Sequence, residues 1–320
     1  MKVIDIINQA KGKTLFSFEV LPPKKGENIQ SLFDCIDPLM KFNPAFIDVT
    51  YSREQIIEKE LPDGSIKRVL TSKRPGTVGI CAAIINRYHI PVVPHLICGG
   101  FTRDETENAL IDLNYLGIKN ILAMQGDKME SEPHFIPTKG GHAYASELIQ
   151  QIADTNRGLY LDEDLGNTAA THFSVSAACY PEKHFAAATM EDDIKYLKHK
   201  VDLGAEYLVT QMFFDNQKYF DFVDLCRANG INVPIIPGIK PLSTKRQIEV
   251  LPKIFFTDIP QELSEEVLAC ENNSEVKEVG IQWAIKQSLE LKKAGVPILH
   301  YYTMSRAEST RRIAEVVFCD

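Results

Sequence analysis

Short apolar runs alternate with longer amphipathic stretches along the whole chain. Eight of the short runs are rich in β-branched and aromatic residues, a composition that predicts strands. These runs cover residues 14–20, 45–51, 92–97, 120–124, 172–178, 207–212, 234–237 and 297–301. The stretches between them are longer, and several have the spacing of apolar residues that predicts helices.

One of these stretches shows both ends of a predicted helix. Thr102 and Glu105 have the spacing of a capping box, and Leu110 and Leu113 then lie on one apolar face. Gly117 follows, as glycine commonly does at a helix C-terminus. Three further glycines take the same place after amphipathic stretches: Gly204, Gly230 and Gly295. Each of the four precedes a predicted strand by a few residues.

Regular alternation of strands and helices predicts a parallel sheet with right-handed crossovers. Eight such units in 320 residues favour a closed barrel over an open doubly wound sheet. No G-x-G-x-x-G motif follows a predicted strand, which also argues against a dinucleotide-binding Rossmann fold. The sequence therefore predicts an α/β fold, a (β/α)8 TIM barrel, in a single domain over residues 1–320.

Two segments interrupt the predicted alternation. Residues 54–73 are highly charged and contain Pro62-Asp63-Gly64, a turn signal. We expect a hairpin over the barrel mouth after the second strand; its role as a lid, an oligomer contact or a solvated loop stays open. Residues 257–274 lengthen the last crossover.

Composition and charge exclude several classes of protein. With 44% hydrophobic and 24% charged residues the chain is typical of globular proteins, and its net charge of −8 without a basic stripe argues against nucleic-acid binding. Seven cysteines without a C-x-x-C pair, and no H-E-x-x-H motif, argue against a metal site or disulfides. No apolar run approaches the roughly 20 residues of a membrane span, and no signal-peptide core is visible. We therefore expect a cytoplasmic protein.

Polar residues collect where the predicted strands end, and in β/α barrels the chemistry lies at those ends. Each has an ordinary explanation by itself, such as an exposed strand residue, a turn or a buried hydrogen-bonded histidine. Their convergence on one rim favours a site. These residues are Glu19, Thr50, Tyr51, His95, Asp127, Tyr180, His184, Gln211, Tyr302 and Arg306.

Several of the same residues belong to motifs that follow one another as FSFEVLPPK, FIDVTYS, PHLICGG, QGD, VSAACYPEKH, KVDLGAEYLVTQMFFD, PIIPGIKP and HYYTMSRAE. Together these motifs cover almost the whole chain and resemble the methylenetetrahydrofolate reductase family. The extent of the chain is similar to that of bacterial members that consist of the catalytic domain alone.

The resemblance implies an oxidoreductase with FAD at the barrel mouth. In a ping-pong reaction, NADH or NADPH reduces the flavin, which then reduces 5,10-methylenetetrahydrofolate to 5-methyltetrahydrofolate for one-carbon metabolism and methionine synthesis. Similarity to bacterial members favours NADH and implies a homo-oligomer. No motif in the sequence selects between the two nicotinamides.

Two carboxyl groups carry the implied chemistry. Glu19 matches the catalytic acid, which donates a proton as the five-membered ring of the folate opens to a 5-iminium cation. Its apolar neighbours Phe18 and Leu21 would raise its pKa by desolvation, as an acid that works near neutral pH requires. Asp127 matches an aspartate beside flavin and folate, whose carboxylate stabilises the cation and lowers the flavin's reduction potential.

The resemblance also implies binding residues. The positions that line FAD are Thr50, Tyr51, His95, Gln125, Gly126, Asp127, Ala145, Tyr180, His184, Ala187, Asp193 and Lys200. Those that contact substrate are Gln211, Gln247, Tyr302 and Arg306. Gln125 stands where the family usually has arginine, so a cationic flavin contact is lost or is supplied by Arg53, Lys198 or His199.

Two alternatives stay open at this point. One is a barrel enzyme without redox chemistry, such as a folate-binding methyltransferase or an aldolase-like lyase. A lyase of that kind needs a lysine at a strand end, and no inward lysine stands out, since Lys240 follows a strand but precedes a proline. The other is a flavin-free binding or regulatory subunit; Glu19, Asp127 and Gln211 argue against it.

Overall fold

The computed structural model describes residues 1–319. Its strands are β1 (Leu15–Val20), β2 (Ile47–Val49), β3 (Gln55–Glu60), β4 (Ile66–Thr71), β5 (Val92–Ile97), β6 (Asn120–Met124), β7 (Ser174–Cys179), β8 (Ala205–Thr210), β9 (Ile235–Ile236), β10 (Gly238–Ile239) and β11 (Ile298–Tyr302). Its α-helices are α1 (Val3–Gln9), α2 (Gln30–Ile36), α3 (Thr77–Tyr88), α4 (Arg103–Tyr115), α5 (Ala145–Thr155), α6 (Met190–Asp202), α7 (Asn216–Ala228), α8 (Gln247–Phe255), α9 (Gln261–Ala269), α10 (Asn273–Lys293) and α11 (Ala307–Val317). None of these helices has both the length and the apolar character to cross a bilayer.

Nine strands form one parallel sheet in the order β10-β11-β1-β2-β5-β6-β7-β8-β9. β9 and β10 are two halves of one strand, separated by Pro237, which has no N–H to donate to a neighbouring strand. One half pairs with β8 and the other with β11, so the sheet returns to its start. The prediction of a (β/α)8 TIM barrel is confirmed.

The predicted strands all have counterparts; they differ at their ends and in the break between β9 and β10. β5 and β6 have the predicted bounds, whereas β8 begins two residues before the predicted run 207–212. Gly204 explains this shift, because its φ of +121° ends α6 so sharply that the strand starts at the next residue. The capping box of α4 is confirmed: Glu105 N donates to Thr102 Oγ1 at 3.2 Å and Thr102 N to Glu105 Oε2 at 2.8 Å.

Alternate residues of each barrel strand face opposite sides of the sheet. Outward residues such as Phe16 and Leu299 pack in the main core beneath the helices. The inner core contains Phe46, Val93, Leu122, Tyr207, Val209, Ile236 and Ile298. Val3 of α1 joins this inner core, and its N–H donates to Asn120 Oδ1 at 2.7 Å. The amino-terminal end of the barrel is thereby filled, which leaves the carboxyl ends of the strands for a site.

The charged insertion, residues 54–73, folds as the antiparallel pair β3 and β4, as predicted. Its base is tied to two loops at the carboxyl ends of barrel strands. Glu130 N, in the loop after β6, donates to Gln55 Oε1 at 2.8 Å. Lys25 N, in the loop after β1, donates to Lys73 O at 3.0 Å. The predicted longer last crossover is also confirmed, since it contains α9.

Candidate active site

Three neighbouring strands, β1, β2 and β5, each place one titratable side chain on the inner face of the barrel. Glu19 is the register partner of Asp48, and His95 comes from β5. The Nε2 atom of His95 lies 3.4 Å from Oδ2 of Asp48 and 3.8 Å from Oε2 of Glu19. The side chain of His95 is 3% exposed, that of Asp48 1% and that of Glu19 12%. One imidazole nitrogen therefore stands between two buried carboxyl groups.

The polar cluster continues one layer deeper with His300 of β11. Its Nε2 lies 3.7 Å from Asp48 Oδ2, its Nδ1 is 2.8 Å from Ser17 Oγ, and its ring stacks on Phe46 with centroids 5.8 Å apart. Asp48, His300 and Ser17 were not predicted as site residues, because each lies within a run whose composition predicts an apolar strand. Strand parity could have found Ser17, two residues before Glu19 on the same face.

Burial raises the pKa of Glu19, and the negative charge of Asp48 raises it further, whereas His95, Thr50 and Lys240 lower it without cancelling the effect. Burial by itself would lower the pKa of His95. The hydrogen bond to Asp48 and the charge of Glu19 outweigh burial, so the pKa of His95 is raised. The pKa values of Glu19 and His95 are thus both raised above their ordinary values.

Lys240 corrects one expectation drawn from the sequence. It directly follows β10 and is 8% exposed. Ile239 packs in the outer core, so its neighbours Gly238 and Lys240 face the opposite side of the sheet, which is the barrel interior. Lys240 therefore lies on the inner face of the barrel, where its charge acts on Glu19. Burial lowers the pKa of this lysine. An inward lysine at a strand end is present after all.

Asp127 lies in the loop after β6 and is exposed at the barrel mouth. Desolvation by the surrounding protein nevertheless raises its pKa. The preceding Gly126 has a φ of +82°, and a Cβ there would lie 3.0 Å from Cβ of Ile97, so the turn requires glycine. The Gln125 side chain donates to Ala143 O at 2.7 Å. Gln125 therefore supports the loop that carries Asp127.

Arg53, from the segment after β2, holds the same loop. Its Nη1 donates to Glu132 Oε2 at 3.0 Å and to Asp127 O at 3.4 Å, while its Nη2 donates to Ile136 O at 3.1 Å. The Arg53 and Glu132 side chains are 7% and 8% exposed. A Cβ at Gly99 would lie 2.7 Å from Cδ of Arg53, so glycine makes room for it. These bonds argue against the expectation that Arg53 supplies the missing flavin contact.

Arg53→Met is expected to lower the free energy of unfolding by about 3–5 kcal/mol, because Glu132 is left as a buried carboxylate without its partner. The double variant Arg53→Met, Glu132→Met should recover most of this loss. Denaturant unfolding measures both. The control Arg87→Met breaks a pair with Asp37 whose side chains are each 44% exposed, and should cost far less, because solvent screens an exposed pair. Equal losses for the two single variants would contradict the account of this pair.

A second cluster of predicted cofactor residues surrounds the loop after β7. The rings of Tyr180 and His184 meet edge to face, with centroids 4.5 Å apart. His184 N donates to Asp193 Oδ2 at 2.7 Å. Lys200 Nζ donates to Ala178 O at 3.0 Å, so this lysine turns toward β7 and is half-buried. The structure thus brings Tyr180, His184 and Asp193 together, with Lys200 beneath them.

Tyr302 lies between the two clusters. Its Oη donates to Thr210 O at 2.6 Å. Burial raises the pKa of Tyr302, and the charge of Glu19 raises it further, with a smaller contribution from Tyr180. Burial likewise raises the pKa of Tyr180, to which the charge of Asp127 contributes. The groups around Glu19 and Asp127 therefore adjoin at one end of the barrel.

The remaining predicted site residues are not joined to Glu19 or Asp127 by a hydrogen bond or ion pair within residues 1–319. Gln247 Oε1 accepts from the N–H groups of Ser243 and Thr244 at 2.6 and 3.0 Å, and so supports its own turn. Gln211 Oε1 accepts from Met212 N at 2.9 Å. The others follow barrel strands at the same end: Tyr51 after β2, Ala145 at the start of α5, Ala187 before α6 and Arg306 before α11.

Comparison with known proteins adds a family to this geometry. The family model described as Methylenetetrahydrofolate reductase matches residues 2–317. The 5,10-methylenetetrahydrofolate reductase of Escherichia coli strain K12 is 31% identical over 323 residues, which cover 98% of this chain and 95% of that protein.

A plant relative and a solved structure extend the comparison. Methylenetetrahydrofolate reductase (NADH) 1 of Arabidopsis thaliana is 32% identical over 95% of this chain but 49% of its own length. The chain thus spans about half the length of such plant relatives. An uncharacterised Clostridium thermocellum protein that binds two copies of 5-methyl-5,6,7,8-tetrahydrofolic acid aligns over 97% of this chain and 98% of its own, with a TM-score of 0.56 and 14% identity. That likeness supports the barrel fold alone.

Proposed function

Because the chain belongs to the methylenetetrahydrofolate reductase family, we propose that it reduces 5,10-methylenetetrahydrofolate to 5-methyltetrahydrofolate, with electrons from a nicotinamide that pass through bound FAD. The observation that carries the proposal is a buried carboxyl group, Glu19, whose pKa burial raises, at the same end of the barrel as Asp127. An acid for the folate and an anion for its cation are the two groups that this reduction requires.

The residues at the barrel mouth fit FAD. His95 Nδ1 is buried and has no hydrogen-bond partner among residues 1–319. The edge of an isoalloxazine ring has carbonyl oxygens, ring nitrogens and an N–H, which match such an atom. The ring faces of Tyr180 and His184 offer surfaces for a planar group. Bound FAD would supply hydride transfer between the nicotinamide and the folate.

The chain's own residues would handle charge and protons. Glu19 would donate its proton to the folate as the five-membered ring opens, because burial raises its pKa and so holds the proton at a higher pH than on an exposed glutamate. Asp127 would stabilise the resulting 5-iminium cation from the loop that Arg53 holds. Gln211, Gln247, Tyr302 and Arg306 remain the residues that we propose for substrate binding.

The choice of nicotinamide and the assembly are also part of the proposal. NADH is supported by the name of the Arabidopsis thaliana relative, which specifies it. A ping-pong order follows if both substrates use the one open end of the barrel in turn. A cytoplasmic location, a homo-oligomer and a single domain over the whole chain remain predictions from the sequence.

A lyase would need an inward lysine at a strand end, and Lys240 does face the barrel interior, so the lack of such a lysine no longer argues against a lyase. Family membership now argues against it, because the matching relatives that cover both chains almost completely are named as reductases.

Turnover of the purified protein tests the proposal. We expect NADH and 5,10-methylenetetrahydrofolate to yield 5-methyltetrahydrofolate, measured by mass spectrometry, only when FAD is bound. FAD binding itself is followed separately by quenching of flavin fluorescence. A protein that binds FAD but forms no methylated folate with either nicotinamide would contradict the proposal.

A further inference from the structure

The buried carboxylate of Asp48 has no task in the proposed reaction. It lies behind Glu19, 1% exposed, and its Oδ1 has no hydrogen-bond partner in the described part of the chain. Burying a carboxylate is costly unless it is paired. The imidazoles of His95 and His300 lie 3.4 and 3.7 Å from its Oδ2 atom. Asp48 is therefore paired through histidines.

Two carboxyl groups lie within 4 Å of the Nε2 atom of His95. Its Nε2 carries a single hydrogen, which can point to one acceptor at a time. Asp48 is the nearer acceptor at 3.4 Å, within hydrogen-bond distance, whereas Glu19 is 3.8 Å away. The hydrogen bond therefore goes to Asp48, and the charges of His95 and Asp48 compensate each other.

We propose that Asp48 is a positioning residue that occupies the His95 imidazolium and so leaves the proton on Glu19. Without Asp48, Glu19 would be the one carboxyl group within 4 Å of His95 among residues 1–319. A cation at that distance stabilises the ionised form of a carboxyl group. Glu19 would then pair with His95 as a carboxylate and lose its use as an acid. The catalytic importance of Asp48 rests on the proposed function, whereas its effect on the protonation of Glu19 does not.

The other charged and titratable groups around these residues do not replace Asp48. Glu19 also faces Lys240 after β10 and Tyr302 of β11, and the cation of Lys240 favours ionised Glu19 whether or not Asp48 is present. Asp48 also faces His300, whose pKa burial lowers, so this imidazole tends to be neutral. The further neighbours of Asp48 are Cys81 of α3 and Tyr207 of β8, and burial raises the pKa of both. With Asp48 removed, the charge of Glu19 is what still raises the pKa of His95. His95 then pairs with Glu19 in place of Asp48.

Infrared spectroscopy of the purified protein tests the proposal without folate or flavin. A protonated carboxylic acid has a C=O stretching band, and loss of that band in Glu19→Gln assigns it. In Asp48→Asn we expect the band to titrate at lower pH, so that the protonated fraction at the wild-type midpoint falls from one half to about a tenth or less. The double variant Asp48→Asn, His95→Asn should restore the wild-type midpoint or exceed it, because the competing cation is gone.

Two results would overturn the proposal: an unchanged midpoint in folded Asp48→Asn, or a double variant that fails to restore it. If Asp48→Asn does not fold, His95→Asn decides. The Glu19 band should then titrate at higher pH than in the wild type, and an unchanged midpoint would refute the competition. A shifted band in a protein that does not reduce folate would sink the proposed function and leave the role of Asp48 intact.

Discussion

Glu19→Gln is expected to slow the reduction of methylenetetrahydrofolate by about 10²- to 10⁴-fold, the usual contribution of a general acid. Glutamine keeps the shape of the side chain but cannot donate the proton that opens the folate ring. Reduction of the bound flavin by NADH needs no such proton and should keep its rate. Stopped-flow absorbance of the flavin measures the two half-reactions separately.

Glu107→Gln is the matched control for this variant. Glu107 of α4 is a buried carboxyl group like Glu19, and it accepts a hydrogen bond from Leu161 N at 2.7 Å outside the barrel mouth. Its substitution should leave both half-reactions intact. If Glu19→Gln slowed flavin reduction and folate reduction alike, Glu19 would have a structural role and not that of the acid.

Asp127→Asn is expected to slow folate reduction by about 10²-fold, since one preorganised charge or donor is worth that much in a transition state. The loss of an anion near the flavin should also raise its reduction potential. The backbone of the loop should stay in place, because Arg53 binds the carbonyl of Asp127 and not its carboxylate. Potentiometric titration of the flavin and stopped-flow kinetics measure the two effects.

Asp104→Asn controls for a general change in net charge. Asp104 lies in the first turn of α4, is exposed, and its Oδ2 accepts a hydrogen bond from Asn108 Nδ2 at 3.2 Å. We expect no change in flavin potential or in rate. An unchanged potential in Asp127→Asn as well would show that this carboxylate does not lie beside the flavin.

The barrel could be predicted because its signals are local. Capping at Thr102 and the positive φ of Gly204 depend on a few neighbouring residues, and the alternation of strands and helices then leaves few topologies. The break between β9 and β10 was not predicted. Pro237 falls where the strand exchanges one partner for another, and that position depends on the closed sheet.

The site was predicted at its rim and missed in its interior. Glu19 near the end of β1 and His95 within β5 were both indicated by the resemblance. Asp48 was passed over because it lies between Ile47 and Val49, and only the pairing of β1, β2 and β5 shows that it competes with Glu19 for one histidine. The sequence alone does not contain the distances that determine which carboxyl group His95 binds.

The loop that carries Asp127 shows the same limit. Arg53 was one of three residues that could replace a missing cationic flavin contact, the others being Lys198 and His199. In the structure, Arg53 instead forms a buried ion pair with Glu132, 79 residues along the chain. A contact of that sequence separation has no local signature.

Reoxidation of the reduced flavoprotein tests the central claim most directly. The wild-type protein, loaded with FAD and reduced anaerobically with one equivalent of NADH, is mixed with 5,10-methylenetetrahydrofolate in a stopped-flow cell. The account predicts that oxidised-flavin absorbance returns within the time of one turnover, and that one equivalent of 5-methyltetrahydrofolate is formed. Flavin that stays reduced after the folate is added would contradict it.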